Sequence, residues 1–236
     1  MSFARLTKMD APARQAGWMT ASSAEKASPV ANTVRLRVLI VLLVAALAGS
    51  LTPLGEHVLP QSIHSAANSS GPWAMITFAL IYASRLRGWA AAVLAAAALV
   101  IMDITFFLFF DGLGGYYPHH YLVFWIGIAV CVGPLLGLCA SWLRSSNHRL
   151  QELAVAAPGA VLVGEGVYML EWLPGVSVVY SIASLVVGVA LFVILATALL
   201  RRPARIALSL GLCVVGAFVF LEVYGLLPLV LNKVVP

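Results

Sequence analysis

Charged side chains are scarce in this sequence: 10% of its 236 residues are Asp, Glu, Lys or Arg, whereas 62% are hydrophobic. Soluble globular domains carry about 25% charged residues, so the composition excludes that class. The net charge of +5 does not indicate nucleic-acid binding, because the basic residues lie at the ends of apolar runs rather than along one stripe. The composition therefore predicts an integral protein of the lipid bilayer with no nucleic-acid partner.

Motifs of catalysis and of metal or cofactor binding are also lacking. The sequence contains no GxSxG, HExxH or P-loop pattern, and Asp103 is the only aspartate inside a predicted span, so no aspartyl pair is available. The three cysteines lie in apolar runs without CxxC spacing. The histidines of the predicted outer loops, at positions 57, 64, 119 and 120, match no metal motif. We therefore expect no cofactor, metal site or catalytic residue, and an enzyme ranks third among the functional classes.

Apolar runs suited to membrane-spanning helices account for most of the chain. The predicted spans cover residues 36–54, 72–84, 89–110, 121–143, 153–172, 177–200 and 206–231. Residues 1–34 are rich in Ala and Ser without a sustained period, which predicts a disordered tail before a single transmembrane domain, 35–236. Residues 46–48 resemble a signal cleavage site, but the preceding tail is long for a signal peptide, which favours a retained first span.

The distribution of Lys and Arg tests this division independently of hydropathy. Of the 14 basic residues, 13 lie in the tail, at the start of the first span or in the connections after the second, fourth and sixth spans, and only Lys233 lies on the other side. Basic residues concentrate in cytoplasmic loops. The sequence therefore predicts an all-α polytopic bundle of seven spans, with the N-terminus cytoplasmic and the C-terminus outside.

Three acidic residues, Asp103, Glu165 and Glu222, lie inside predicted spans and past the midpoint of each. A carboxylate at the bilayer centre costs about 3 kcal/mol, so each is expected to face the protein interior or water. Apart from Arg37 at the start of the first span, no Lys, Arg or His lies inside a predicted span to pair with them. Three accounts stay open: protonated acids, acids that bind a cation from outside, or neutral acids hydrogen-bonded to Ser, Tyr and backbone groups.

Aromatic residues accompany these acids. Glu165, Tyr168 and Trp172 fall at i, i+3 and i+7, on one face of a helix. A carboxylate among aromatic rings is a receptor for an organic cation. We therefore expect an outward-facing acidic and aromatic cavity that binds or transports a small cationic solute or protons, with these binding residues: Glu165, Tyr168, Trp172, Asp103, Glu222 and Trp73. The competing interpretation is a non-catalytic scaffold or accessory subunit, with neutral structural acids and a membrane-protein partner.

Small residues recur every four positions on the fourth predicted span, at Ala129, Gly133, Gly137 and Ser141. Such a ladder allows the backbone of a neighbouring helix to approach closely. We favour packing within the chain over a homodimer as its purpose.

Five short motifs occur in a characteristic order: Asn68-Ser69-x-x-Pro72-Trp73, Tyr116-Tyr117, Phe124-Trp125, Gly133-Pro134-x-x-Gly137 and Glu165-Gly166-x-Tyr168. The set resembles an uncharacterised family of bacterial, largely actinobacterial, multi-pass membrane proteins, over residues 36–230. The resemblance implies a location in the bacterial inner membrane and carries no activity with it. The architecture is also similar to the substrate-capture subunits of energy-coupling-factor vitamin transporters, from which this chain departs in having seven predicted spans rather than six and no evident coupling motif on its first helix.

Overall fold

The computed structural model describes residues 29–115, 118–172 and 178–234. The helices are α1 (Pro29–Val58), a short 3-10 helix (His64–Ala66), α2 (Ser70–Ser84), α3 (Gly88–Gly112), α4 (His119–Trp142), α5 (His148–Trp172), α6 (Val178–Leu199) and α7 (Pro203–Val234). This confirms the predicted all-α class. The first 28 residues of the predicted tail, the Tyr116-Tyr117 motif and the predicted turn at Pro174 lie outside the described residues.

Each predicted span corresponds to one helix. The largest difference is at the first, which begins at Pro29 rather than at residue 36 and therefore includes the end of the predicted tail. In the described ranges, six helices are long and apolar enough to cross a membrane. The exception is α2, whose 15 residues give a length of about 22 Å, against about 30 Å for the hydrocarbon core of a bilayer. The seventh crossing depends on α2 and stays a prediction.

The helices form two groups that α2 helps to join. In the first group, α3 packs against α4 and α1. In the second, α5 packs against both α6 and α7, which contact each other little. The connection between the groups comes from α2, which contacts α3, α4 and α5, and from the pairing of α4 with α5. The short helix α2 is therefore central to the bundle, and its Thr77 and Ile81 are fully buried.

The ladder of small residues on α4 faces α3. A Cβ atom added at Gly133 would overlap the backbone of Ala96, and one added at Gly137 would overlap the backbone of Ala91. Close approach of two backbones of this kind requires glycine at the contact. The preference for packing within the chain is confirmed.

Basic residues gather at one end of the bundle, where they join helices to one another. Arg37 of α1 donates to the carbonyl of Ser84 at the end of α2, at 3.4 Å. The Arg144 guanidinium, after α4, lies 3.7 Å from the ring centroid of Tyr82 on α2. Arg205 of α7 pairs with the buried Glu152 of α5 at 2.6 Å. This end of the bundle is therefore basic, as expected from the alternation of basic and non-basic connections along the sequence.

Candidate functional site

The start of α2 is buried against α5, and its polar groups donate hydrogen bonds to the Glu165 carboxylate. Glu165 Oε1 accepts hydrogen bonds from Ser69 Oγ at 2.6 Å, Ser70 Oγ at 2.7 Å and the Gly71 backbone N–H at 2.8 Å. Its other oxygen, Oε2, accepts from the Tyr180 hydroxyl of α6 at 2.6 Å. The Glu165 side chain is 1% exposed. The partners of Glu165 are the serine, tyrosine and backbone groups named in the third account. Because all four donate to it, however, it acts as an ionised acceptor rather than as the neutral acid of that account.

The sequence around the start of α2 explains this arrangement. Ser69 is the N-cap residue, yet its hydroxyl makes no capping bond to its own helix. The first turn contains no acidic residue that could satisfy its free N–H groups. Gly71 leaves the room that the acid needs, because a Cβ at this position would overlap Glu165 Oε2. Glu165 therefore caps α2 from another helix and occupies the place next to the positive end of the helix dipole.

Asp103 lies on α3 in a different environment. Its side chain is 7% exposed, and among the described residues no hydrogen bond or ion pair to its carboxylate is found. Since a buried carboxylate without partners is costly, an acid of this kind is a candidate functional group.

A cavity of about 260 Å³ lies beside Asp103, at the end of the bundle opposite the basic residues. Six of its ten described lining residues are aromatic, and the other four are Asp103 and the polar residues at the start of α2 and just before it. The lining residues are Asn68, Ser69, Ser70, Trp73, Asp103, Phe106, Phe107, Tyr121, Trp125 and Tyr224. The Trp73 ring packs edge-on against Phe106, with centroids 5.9 Å apart, and its indole N–H donates to the carbonyl of Ala67. The geometry is that of a small acidic chamber with aromatic walls.

A second cavity of about 170 Å³ adjoins the first. The two share five lining residues, namely Ser70, Trp73, Asp103, Trp125 and Tyr224. The remaining lining of the second cavity is entirely apolar and comes from α2, α3, α4, α5 and α7. Asp103 therefore stands at the junction between a polar chamber and an apolar groove.

The predicted site residues separate into three groups. Asp103 and Trp73 line both cavities. Glu165 lies behind the chamber wall. It accepts hydrogen bonds from Ser69 and Ser70, which form part of that wall. Tyr168 is buried next to the wall, with its ring 4.9 Å from that of Tyr224. The predicted face of α5 therefore supports the cavity from behind.

Two predicted residues lie away from the cavity. Glu222 is exposed on α7, and it is absent from the lining of both cavities, although the neighbouring Tyr224 belongs to it. Trp172 is 60% exposed at the end of α5 and stacks on Tyr168 at 6.4 Å. The structure therefore does not bring the three acids together in one of these two cavities. The cause is helix phase: α7 is apolar on all sides, so its sequence does not reveal which face turns inward.

Several residues of the site were not predicted from the sequence. Tyr180, Tyr121 and Tyr224 are not among the binding residues expected from the sequence, because tyrosines near the ends of spans are common in membrane proteins. The same is true of Ser69 and Ser70, which lie in a polar connection before the second predicted span. A usable signal was present at α2, since a helix start with two serines, a glycine and no acid lacks a cap and requires one from elsewhere.

Comparisons with known proteins give one finding. A family model described as a family of unknown function (DUF6518) matches residues 28–229, so the chain belongs to that family. The predicted membership of an uncharacterised family is thereby confirmed. Neither curated proteins nor solved structures give a match.

Proposed function

We propose that this family member binds a small organic cation in the chamber beside Asp103. The observation that carries the proposal is the contrast between the two buried acids. Glu165 is fully occupied by four hydrogen-bond donors, whereas the Asp103 carboxylate, 7% exposed, has no partner in the described chain and faces the cavity. Asp103 is thus the acid that is free to hold a ligand, and Glu165 is not.

The charge of the chamber favours a cation over an anion. The start of an α-helix carries a partial positive charge of about +0.5 and commonly binds anions. At α2 that position is already taken by Glu165. Among the residues that the structure describes, no Lys or Arg lines the chamber. A ligand therefore meets the Asp103 carboxylate without a compensating basic side chain.

The walls suit an organic cation rather than a bare metal ion. Trp73, Trp125, Tyr121 and Tyr224 present aromatic rings to the chamber. A cation over such a ring gains about 0.5–2 kcal/mol, most when it is desolvated. The volume of about 260 Å³ is slightly below the usual range for small-molecule sites, about 300–1,000 Å³. We infer that the group held in the chamber is a compact ammonium group, either protonated or quaternary.

The setting of the site is part of the same proposal. The chamber lies opposite the basic end of the bundle. Because basic residues concentrate on the cytoplasmic side, we infer that the chamber opens outward. We further infer that α2 and the segment before it complete a seventh crossing, and that the protein captures its solute at a bacterial inner membrane, either for transport or for sensing.

The test is a thermal-shift measurement of the purified protein against a panel of small quaternary and primary amines, with alkali cations and carboxylates as comparison. A ligand at 100 times its Kd stabilises the native state by about 2.7 kcal/mol. We expect an amine to stabilise the wild type, and we expect Asp103→Asn to weaken its binding at least tenfold. Glu222→Gln, which changes an exposed acid, is the matched control and should bind as the wild type does. Undiminished binding in Asp103→Asn would overturn the proposal.

A non-catalytic scaffold is the second candidate, and the hydrogen bonds of Glu165 favour it for that one acid. A scaffold predicts that no amine in the panel raises the melting temperature and that Asp103→Asn stabilises the protein, because it removes an unpartnered acid. A binding protein predicts that the same substitution removes the response to ligand.

A further inference from the structure

We propose that the ligand is an amphiphilic cation, whose charged head occupies the chamber and whose apolar chain lies in the adjoining groove. This inference rests on the proposed function, since it takes the head-group site as given. It adds the chemical class of the ligand and its route of entry. Asp103 marks the point where head and chain meet, because it lines both cavities.

The groove is apolar throughout, apart from the residues that it shares with the chamber. Its other lining residues are Ala74, Leu99, Ile128, Ala129, Val132, Leu136, Val161, Phe220 and Val223. In this part of the groove, none of the described lining residues carries a hydrogen-bonding side chain. A hydrocarbon chain is the occupant that such a surface accepts without a desolvation penalty.

The groove opens toward the lipid-facing surface between α4 and α7. Val132 of α4 and Val223 of α7 line it and are 39% and 54% exposed, respectively. Within the described chain, α4 and α7 are not a packed helix pair, so the described helices leave room between them at this point. A ligand with an apolar chain therefore has a lateral path from the bilayer to Asp103.

The length of the groove limits the length of the alkyl chain that a ligand can place in it. On α4 the lining extends from Trp125 to Leu136, an axial distance of about 16 Å. A compact cation would leave this surface empty, whereas a single alkyl chain would cover it. The charge at the inner end selects the head group: an anionic amphiphile would place its charge against Asp103, and a cationic one pairs with it.

The experiment compares tetramethylammonium with hexyltrimethylammonium in nanodiscs that contain the protein, after subtraction of the signal from empty nanodiscs. Hexyl sulfate serves as the anionic control. Each buried methylene contributes about a fourfold gain in affinity, so burial of two of the five added methylenes suffices for a tenfold gain. We expect hexyltrimethylammonium to bind at least tenfold more tightly than tetramethylammonium.

Two matched variants test whether the alkyl chain of the ligand lies in the groove. Val132→Trp fills the groove, and Val130→Trp adds the same side chain at an exposed position of α4 that does not line it. We expect Val132→Trp to reduce hexyltrimethylammonium binding to the level of tetramethylammonium, and Val130→Trp to leave the difference intact. The comparison of the two cations on the wild type does not depend on either variant, so it tests the amphiphilic ligand even if a variant fails to fold.

The outcomes separate this inference from the proposed function. Equal affinity for both cations, with both lost in Asp103→Asn, would overturn the amphiphilic ligand and leave the cation site intact. Binding of hexyl sulfate as tight as that of hexyltrimethylammonium would also overturn it, because the groove would then be a lipid site without charge selection. Absence of any Asp103-dependent binding would overturn both proposals.

Discussion

The hydrogen bonds of Glu165 predict a large loss of stability in Glu165→Ala. The substitution removes the acceptor of four donors: the hydroxyls of Ser69, Ser70 and Tyr180 and the backbone N–H of Gly71. Ser70 is only partly buried and can turn to water, so three buried donors lose their partner. At a little more than 1 kcal/mol for each, the loss is about 3–5 kcal/mol.

Glu165→Gln should cost much less. The amide oxygen replaces Oε1 and keeps the three bonds from the start of α2. The amide nitrogen takes the place of Oε2 and can donate to Tyr180, because a hydroxyl accepts as well as donates. The expected loss is about 1–2 kcal/mol, mainly because bonds to a neutral group are weaker than bonds to a charged one.

Thermal unfolding of the detergent-purified variants, followed by tryptophan fluorescence, measures both effects. For a chain of this size each kcal/mol lowers Tm by about 2–4 °C, so Glu165→Ala should unfold about 10 °C below the wild type. The control is Glu222→Ala, which removes an exposed acid and should leave Tm unchanged. A Tm for Glu165→Ala that equals the Tm of Glu222→Ala would refute the reasoning that Glu165 caps α2.

Three further predictions concern packing and charge, and the same unfolding assay measures them. Gly71→Ala should lower stability by about 1–3 kcal/mol, because its Cβ overlaps the Glu165 carboxylate; stability equal to that of the wild type would contradict this. Gly137→Leu should separate α3 from α4 and prevent folding or lower Tm strongly, whereas Gly127→Leu, where the added Cβ meets nothing within 4 Å, should be tolerated; equal Tm values for the two would contradict the close approach of the helices. Arg205→Ala should cost about 3 kcal/mol, since it leaves a buried carboxylate without its ion pair; an unchanged Tm would show that the pair is not formed.

Hydropathy and positive charge were sufficient to predict the helices. Each of the seven apolar runs became one helix, because a membrane helix must satisfy its backbone internally and its sequence is uniformly apolar for that reason. The same uniformity hides helix phase. α7 is apolar on all sides, so the sequence could not show that Glu222 turns outward, whereas the cost of a charge in lipid correctly predicts that Asp103 turns inward.

Local sequence patterns could not predict that Glu165 caps α2. Its partners at the start of α2 lie 94 to 96 positions earlier in the chain, and they become neighbours only when α2 packs against α5. Glu152 and Arg205 are a second example. Each lies between predicted spans, and the packing of α5 with α7 brings the two side chains together. Long-range partners of this kind follow from topology rather than from spacing.

The most direct test of the account is equilibrium binding of one radiolabelled quaternary amine to the wild type, Asp103→Asn and Glu222→Gln in nanodiscs. The account predicts saturable binding to the wild type and to Glu222→Gln, with a Kd at least tenfold higher in Asp103→Asn. Saturable binding with the same Kd in all three proteins would contradict it, because the cation would then be held somewhere other than at the unpartnered acid of α3.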